Sequence, residues 1–179
     1  MSRKLNIESV QGRMPVRYRV PVISRVLGIA AHLLITAYFI WFLFTRVSVD
    51  SHFLMRILPI LAIFISLDAL LRHFSSLNSV VFTPECIWFR YLLMPSRAVE
   101  YESITRMELR KVVTYYMFLT YTDQRGKTRI LKNPASFPKM IEIMYNIYSL
   151  APQAQLDPEL EKMMGVIKRS KEAQEEAPQ

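Results

Sequence analysis

The side chains able to do chemistry are few in this chain, and their spacing keeps them apart. His32, His52 and His73 are the only histidines, all in or beside two apolar stretches near the N-terminus. No imidazole therefore lies in the second half of the chain to serve a nucleophile–base pair or a His-rich metal cluster. Cys86 is the single cysteine, so an internal disulfide is ruled out; opening an apolar, aromatic run, it reads as a packed residue. Gly12, Gly28, Gly126 and Gly165 are dispersed and form no phosphate-cradling loop. The chain is expected to be no enzyme and to carry no cofactor, metal or small-molecule substrate. His32 and Asp68 remain as the titratable pair inside the apolar stretches.

Those stretches must position the pair. Residues 26–45 hold twenty residues without a charged side chain, a length that matches the roughly 30 Å hydrocarbon core of a bilayer at about 1.5 Å per residue. Residues 57–71 are shorter, but extended to 53–73 they reach spanning length. Arg56 near one end can snorkel toward water, and Pro59 falls in the first turns, where a missing donor costs least. Residues 46–52 are long enough only for a turn, so a transmembrane hairpin is predicted. Trp41, Phe42 and Phe44 gather at its outer end, where aromatic rings favour the interface. Folded about Val49, the hairpin sets residue 32 across from about residue 66. His32 and Asp68 are then expected at similar depth, as an interhelical pair or as groups solvated near the boundary; a proton-relay or partner-binding role is the third reading.

Charge fixes the expected orientation. The formal net charge is +8, yet six of the 23 basic residues (Arg3, Lys4, Arg13, Arg17, Arg19, Arg25) precede the first helix. They read as topology signals and contacts for anionic lipid, with Arg46 in the turn and Arg72, Arg90 and Arg97 beyond the second helix. Both termini are expected in the cytoplasm, in a multi-pass protein of the cytoplasmic (inner) membrane. A signal peptide is set aside because the apolar run is too long, no small-residue cleavage site follows and a second span comes next. Nucleic acid is excluded as a partner, since no basic helix face, zinc spacing or aromatic RNA-binding signature accompanies the charge. Within residues 1–25, the segment 13–21 alternates basic with apolar residues and reads either as a basic juxtamembrane leader or as a short strand.

After Phe74 the periodicity shifts from helical to two-residue. Residues 79–83, 86–92, 98–101, 104–113, 115–122 and 127–131 read as short strands rich in β-branched and aromatic side chains. Asp123-Gln124-Arg125-Gly126 reads as a hairpin loop with glycine at positive φ. About six sequence-adjacent antiparallel strands imply a meander or partly closed barrel. Phe137, Met140, Ile141, Met144 and Tyr148, widened by Ile143 and Ile147, predict a helix laid on that sheet. Asp157-Pro158 reads as a cap and first turn of a last helix with Leu160, Met163, Met164 and Ile167 on its apolar side. That helix is expected to dock on its own domain, the membrane or a partner, with residues 172–179 a polar, disordered tail.

The ordered segments VVFTPECIWFR, AVEYESITRMEL and YMFLTYTDQRGKTRIL, followed by the apolar helix, resemble a family of bacterial membrane proteins in which a two-helix transmembrane hairpin precedes a PH-like domain. The similarity covers residues 79–150 and carries no catalytic signature. It implies an α+β membrane protein: the hairpin, then a small antiparallel PH-like barrel or sandwich capped by a helix, with an additional terminal helix. The expected divisions are a basic arm (1–25), the hairpin (26–74), the PH-like domain (75–150) and the C-terminal helix and tail (151–179). Phosphoinositide-binding members of such folds place basic residues after the first strand; here that loop is Thr83-Pro84-Glu85, so inositide recognition there is not expected. The basic residues fall instead on the middle strands and hairpin: Arg106, Arg110, Lys111, Arg125, Lys127, Arg129 and Lys132. They read as a solvated face, as generic attraction to anionic lipid, or as a site for an acidic partner. The function expected is a non-enzymatic, membrane-anchored interaction module, an accessory or scaffold subunit binding a membrane protein or its own copies. An anionic-lipid sensor is the alternative.

Overall fold

The structure, a computed structural model, describes residues 7–48 and 50–175. Arg3 and Lys4 of the expected arm, Val49 at the expected hairpin tip and the tail from residue 176 lie outside the described residues. The chain is α+β, with two long apolar helices preceding one antiparallel and one mixed sheet. It divides into two compact units: a helical one, Val20–Asn78 with Tyr91–Pro95, and a β-rich one made of the rest.

Helix α1 (Val22–Arg46) begins after Pro21, whose fixed φ and missing donor suit a helix start. Helix α2 (Phe53–Ser75) is capped by His52, whose Nδ1 accepts the Leu54 N–H at 3.3 Å. Both are longer than the apolar runs that foretold them, because polar flanks such as Ser24, Arg72 and His73 complete the outer turns. Arg46 and Arg72 sit in the last turns, where a cation meets the negative end of the helix dipole. Both helices are long and apolar enough to cross a membrane. Thr36, Ser66 and Leu70 are buried, whereas Leu34, Phe44 and Phe64 point outward at 71%, 87% and 74% exposure.

In the β-rich unit the alternation of apolar and polar residues is realised as two four-stranded sheets. The first runs β1-β2-β3-β4: Val16–Arg19, Leu77–Phe82, Cys86–Tyr91 and Arg97–Glu100. The second runs β7-β6-β5-β8: Thr128–Pro134, Tyr115–Thr122, Ile104–Lys111 and Gln155–Leu156. Two of these strands lie outside the expected six. Residues 16–19 take the strand reading of the basic arm, with Tyr18 opposite Val80 and turned inward while Arg17 and Arg19 stay exposed. Strand β8 pairs in parallel with Arg106 and Met107, a long-range pairing that two residues cannot announce in a sequence. Gly126 does adopt positive φ (73°) in the β6–β7 turn.

Helix α3 (Met140–Leu150) and helix α4 (Pro158–Glu175) complete this unit. In α3 the buried stripe is Met140, Ile143, Met144 and Ile147, while Ile141 and Tyr148 are exposed, a rotation from the expected stripe. Glu142 and Asn146 explain it, because both are buried against the N-terminal arm. Asn146 accepts the Val10 N–H at 3.0 Å and donates to the Glu8 carbonyl at 3.1 Å, and Glu142 accepts from the Tyr18 hydroxyl at 2.9 Å. Two sides of α3 are therefore covered, not one. Helix α4 docks within its own unit through Leu160, Met164 and Ile167, each side chain contributing about 1.5–3 kcal/mol by burial. Residues 172–175 continue this helix.

Gly165 lies within α4, and a Cβ there would meet open space. Gly165→Ala is expected to raise stability by about 1 kcal/mol through helix propensity, read as a higher midpoint of thermal unfolding.

Candidate interaction surfaces

Within the helical unit the polar groups of α1 and α2 form a seam rather than an ion pair. Ser66 donates its hydroxyl to the His32 carbonyl at 2.8 Å, so the depth expected from the antiparallel geometry holds. The expected His32–Asp68 pair is nevertheless not formed. Ser66, Leu70 and His73 share one helical stripe toward α1, and at about 100° per residue position 68 points roughly 200° away from position 66. Asp68 instead pairs with Arg72, one turn on, at 2.7 Å, with both side chains more than half exposed. His32 packs its ring on His73 at 5.4 Å between centroids, and its Nδ1 lies 2.6 Å from the Gly28 carbonyl oxygen. Gly28 makes this approach fit, since a Cβ there would stand 2.9 Å from the His73 ring.

Arg25 closes the same end of the unit. Its guanidinium donates to the Asn78 Oδ1 at 2.7 Å, to the carbonyls of Ser76 and Leu77 at 3.3 Å each, and to the Ser76 hydroxyl. The five-donor fork thereby ties the first turn of α1 to the segment leaving α2. In the sequence Arg25 reads as a topology charge only; its partners lie some fifty residues away, beyond any local signal.

In the β-rich unit the residues expected on one basic face are divided between two. Even-numbered positions of β5, β6 and β7 share the open face of the second sheet, set by the registers Glu108 opposite Phe118 and Phe118 opposite Lys132. There Arg106 and Arg110 grip the buried Glu108 carboxylate at 2.7 and 2.6 Å. Arg110 also lies over the Phe118 ring at 5.5 Å, and Lys132 over the Tyr116 ring at 4.2 Å. These contacts fix two cations on one carboxylate and a third over the neighbouring rings, leaving an excess of positive charge above an aromatic floor. Lys111 ends β5 over Tyr115. Arg129, of the opposite parity, pairs with Asp123 at 3.1 Å, and with Arg125 it lines a broad cleft of about 1570 Å³ that also holds Glu85, Glu100 and Glu102. Lys127 stays in the β6–β7 turn.

Asp123 organises that turn. Its Oδ1 accepts the N–H groups of Arg125 and Lys127, both at 2.9 Å. The Lys127 amide, followed by the Arg129 side chain, holds its carboxyl below the ordinary value of 3.8. A depressed folded value means the stabilisation is complete above 3.8 and fades as pH falls through the lowered value. Amide exchange at Lys127, after correction for intrinsic rates, should accelerate across that acidic window in the native chain and not in Asp123→Asn.

A second cleft, about 510 Å³, runs along β1 and the start of α3, lined by Arg13, Arg17, Tyr18, Arg19, Lys139 and Glu142 among others. Arg13 is held by Glu8 at 2.9 Å and Lys139 by Glu142 at 3.3 Å. Burial, then the bond to Glu142, pushes the Tyr18 phenol up, so it stays a donor. Lys139 adopts φ 57°, a left-handed conformation rare for a residue with a Cβ. Among the described residues no carboxylate pairs with Arg17 or Arg19. They are two residues apart on one strand face, about 6.6 Å along the chain, close enough for two guanidiniums to share one anion.

The chemistry available on these surfaces is recognition of negative charge by fixed donors. Among the described residues no three His, Cys, Asp or Glu side chains converge on a point. No family model, curated protein or solved structure matches the chain.

Proposed function

We propose that the chain is a non-enzymatic, membrane-anchored interaction module: its two apolar helices form a transmembrane hairpin in the cytoplasmic membrane, and its β-rich unit is a PH-like domain on the cytoplasmic side. The observation that carries this reading is the outward display of apolar side chains along both helices, which water would not tolerate and a bilayer would. The basic residues before α1 and after α2 favour a cytoplasmic location for both ends. The open face built on Arg106, Arg110, Lys132, Tyr116 and Phe118 suits an acidic surface of a membrane protein or of a second copy, since Arg and aromatic residues dominate interface energetics. Extraction in mild detergent should yield a complex or oligomer that the double substitution Arg110→Glu/Lys132→Glu disperses. A strictly monomeric native chain with no co-purifying membrane partner overturns the reading.

Arg17 and Arg19, which line the second cleft and have no carboxylate partner among the described residues, favour a second reading, a sensor of anionic lipid. In nanodiscs, β1 amides would then be protected from exchange by phosphatidylglycerol at low salt and released at high salt. Identical exchange in neutral and anionic discs eliminates it.

A further inference from the structure

The β3–β4 connection has the wrong composition for a loop in water. Leu92, Leu93, Met94 and Pro95 succeed one another without a polar side chain, and the first three are 42%, 73% and 44% exposed. The turn itself does not require them. The ladder between β3 and β4 ends at Phe89 opposite Arg97, and polar residues with a glycine would close it as well.

Their placement supplies a reason. The segment Tyr91–Pro95 belongs to the helical unit, not to the β-rich one whose strands it joins. The Leu93 N–H donates to the Phe74 carbonyl at 3.4 Å, which sets the loop level with the last turn of α2. Because α1 and α2 are antiparallel, that is also the level at which α1 begins. There Val22, Ile23, Val26 and Leu71 expose apolar surface, so Leu93 continues an apolar belt. Cations frame it, with Arg72 in that last turn and Arg90 and Arg97 flanking the loop in the chain, all three exposed.

We propose that this loop is a third membrane attachment, in which Leu92, Leu93 and Met94 enter the boundary between acyl chains and headgroups while Arg72 meets lipid phosphates. The inference rests on the reading of α1 and α2 as membrane-spanning. Apolar side chains with an arginine at the same level match that boundary, where the apolar part is buried and the cation stays hydrated beside anionic lipid. The chain already tethers the β-rich unit at two points, before α1 and after α2. The loop adds an attachment beside the second of these, since Leu93 is bonded to the last turn of α2.

Spin labels on the full chain reconstituted in vesicles of phosphatidylcholine and phosphatidylglycerol test this. Cys86→Ser provides the background for single cysteines at Leu93→Cys, Phe64→Cys in α2 and Gln124→Cys in the β6–β7 turn. The label at 93 should collide with oxygen in preference to a water-soluble nickel chelate, as at 64 and in contrast to 124; Met94→Cys should repeat the result. Water-like collisions at 93 with lipid-like ones at 64 overturn the proposal and leave the spanning helices intact. Water-like collisions at 64 overturn both. An immobile label at 93, reached by neither reagent, means that protein covers the loop and overturns the proposal.

Discussion

Arg25→Met should lower the stability of the helical unit by about 2–3 kcal/mol, as four buried or half-buried acceptors lose a charged donor at once. Methionine fills similar volume, so the loss reports the hydrogen bonds and not a cavity. The acceptors are the Asn78 side chain, the carbonyls of Ser76 and Leu77 and the Ser76 hydroxyl. Arg25→Lys should recover only part of the loss, because a single ammonium cannot reach a fork of acceptors. Thermal unfolding in detergent, with protease sensitivity of the segment 76–78, provides the measurement. An unchanged midpoint for Arg25→Met would show that water replaces the guanidinium there, and the latch would be discarded.

Asp157→Ala should release helix α4. Its Oδ1 accepts the Leu160 N–H at 2.7 Å as the helix cap, and its Oδ2 accepts the Leu109 N–H at 3.0 Å from β5. Its own N–H donates to the Met107 carbonyl at 3.2 Å, extending the β5–β8 pairing by one bond. Losing the cap costs about 1 kcal/mol and an unpaired Leu109 donor about 1–3, so a total of roughly 2–4 kcal/mol is expected. Hydrogen exchange should accelerate across α4 and at Leu109 while α3 keeps its protection. Asp157→Asn, retaining one acceptor oxygen, should fall between. Equal protection of α4 in the alanine variant would mean that Leu160, Met164 and Ile167 hold the helix unaided.

Several elements were legible locally. The Asp157-Pro158 start of α4, the glycine turn at Asp123 to Gly126 and the full extent of β6 arise from capping, positive φ and alternation, signals contained within a few residues. Strand β8 was not legible, since two residues become a strand only when β5 lies beside them. Met140, Ile143, Met144 and Ile147 are buried on α3 as expected and Ile141 and Tyr148 are not, because Glu142 and Asn146 look like solvent-facing residues until Tyr18 and Val10 cover them.

The candidate sites divide in the same way. Antiparallel geometry gave the depth at which His32 meets α2, but depth along a helix is one coordinate and azimuth is the other. Only the packed pair sets the azimuth, and it turns Ser66 and His73 toward α1 and Asp68 toward Arg72. The basic residues of β5 to β7 were visible as charges, yet strand register alone assigns Arg106, Arg110 and Lys132 to one face and Arg129 to the other. By itself the sequence determined the two apolar helices, the β-rich character of the chain beyond them and the sign of its charge, because hydrophobicity, periodicity and ionisation are properties of residues and their spacing. Tertiary structure alone decided which polar groups meet, because hydrogen bonds and ion pairs act over a few ångströms and link residues that the chain keeps tens of positions apart.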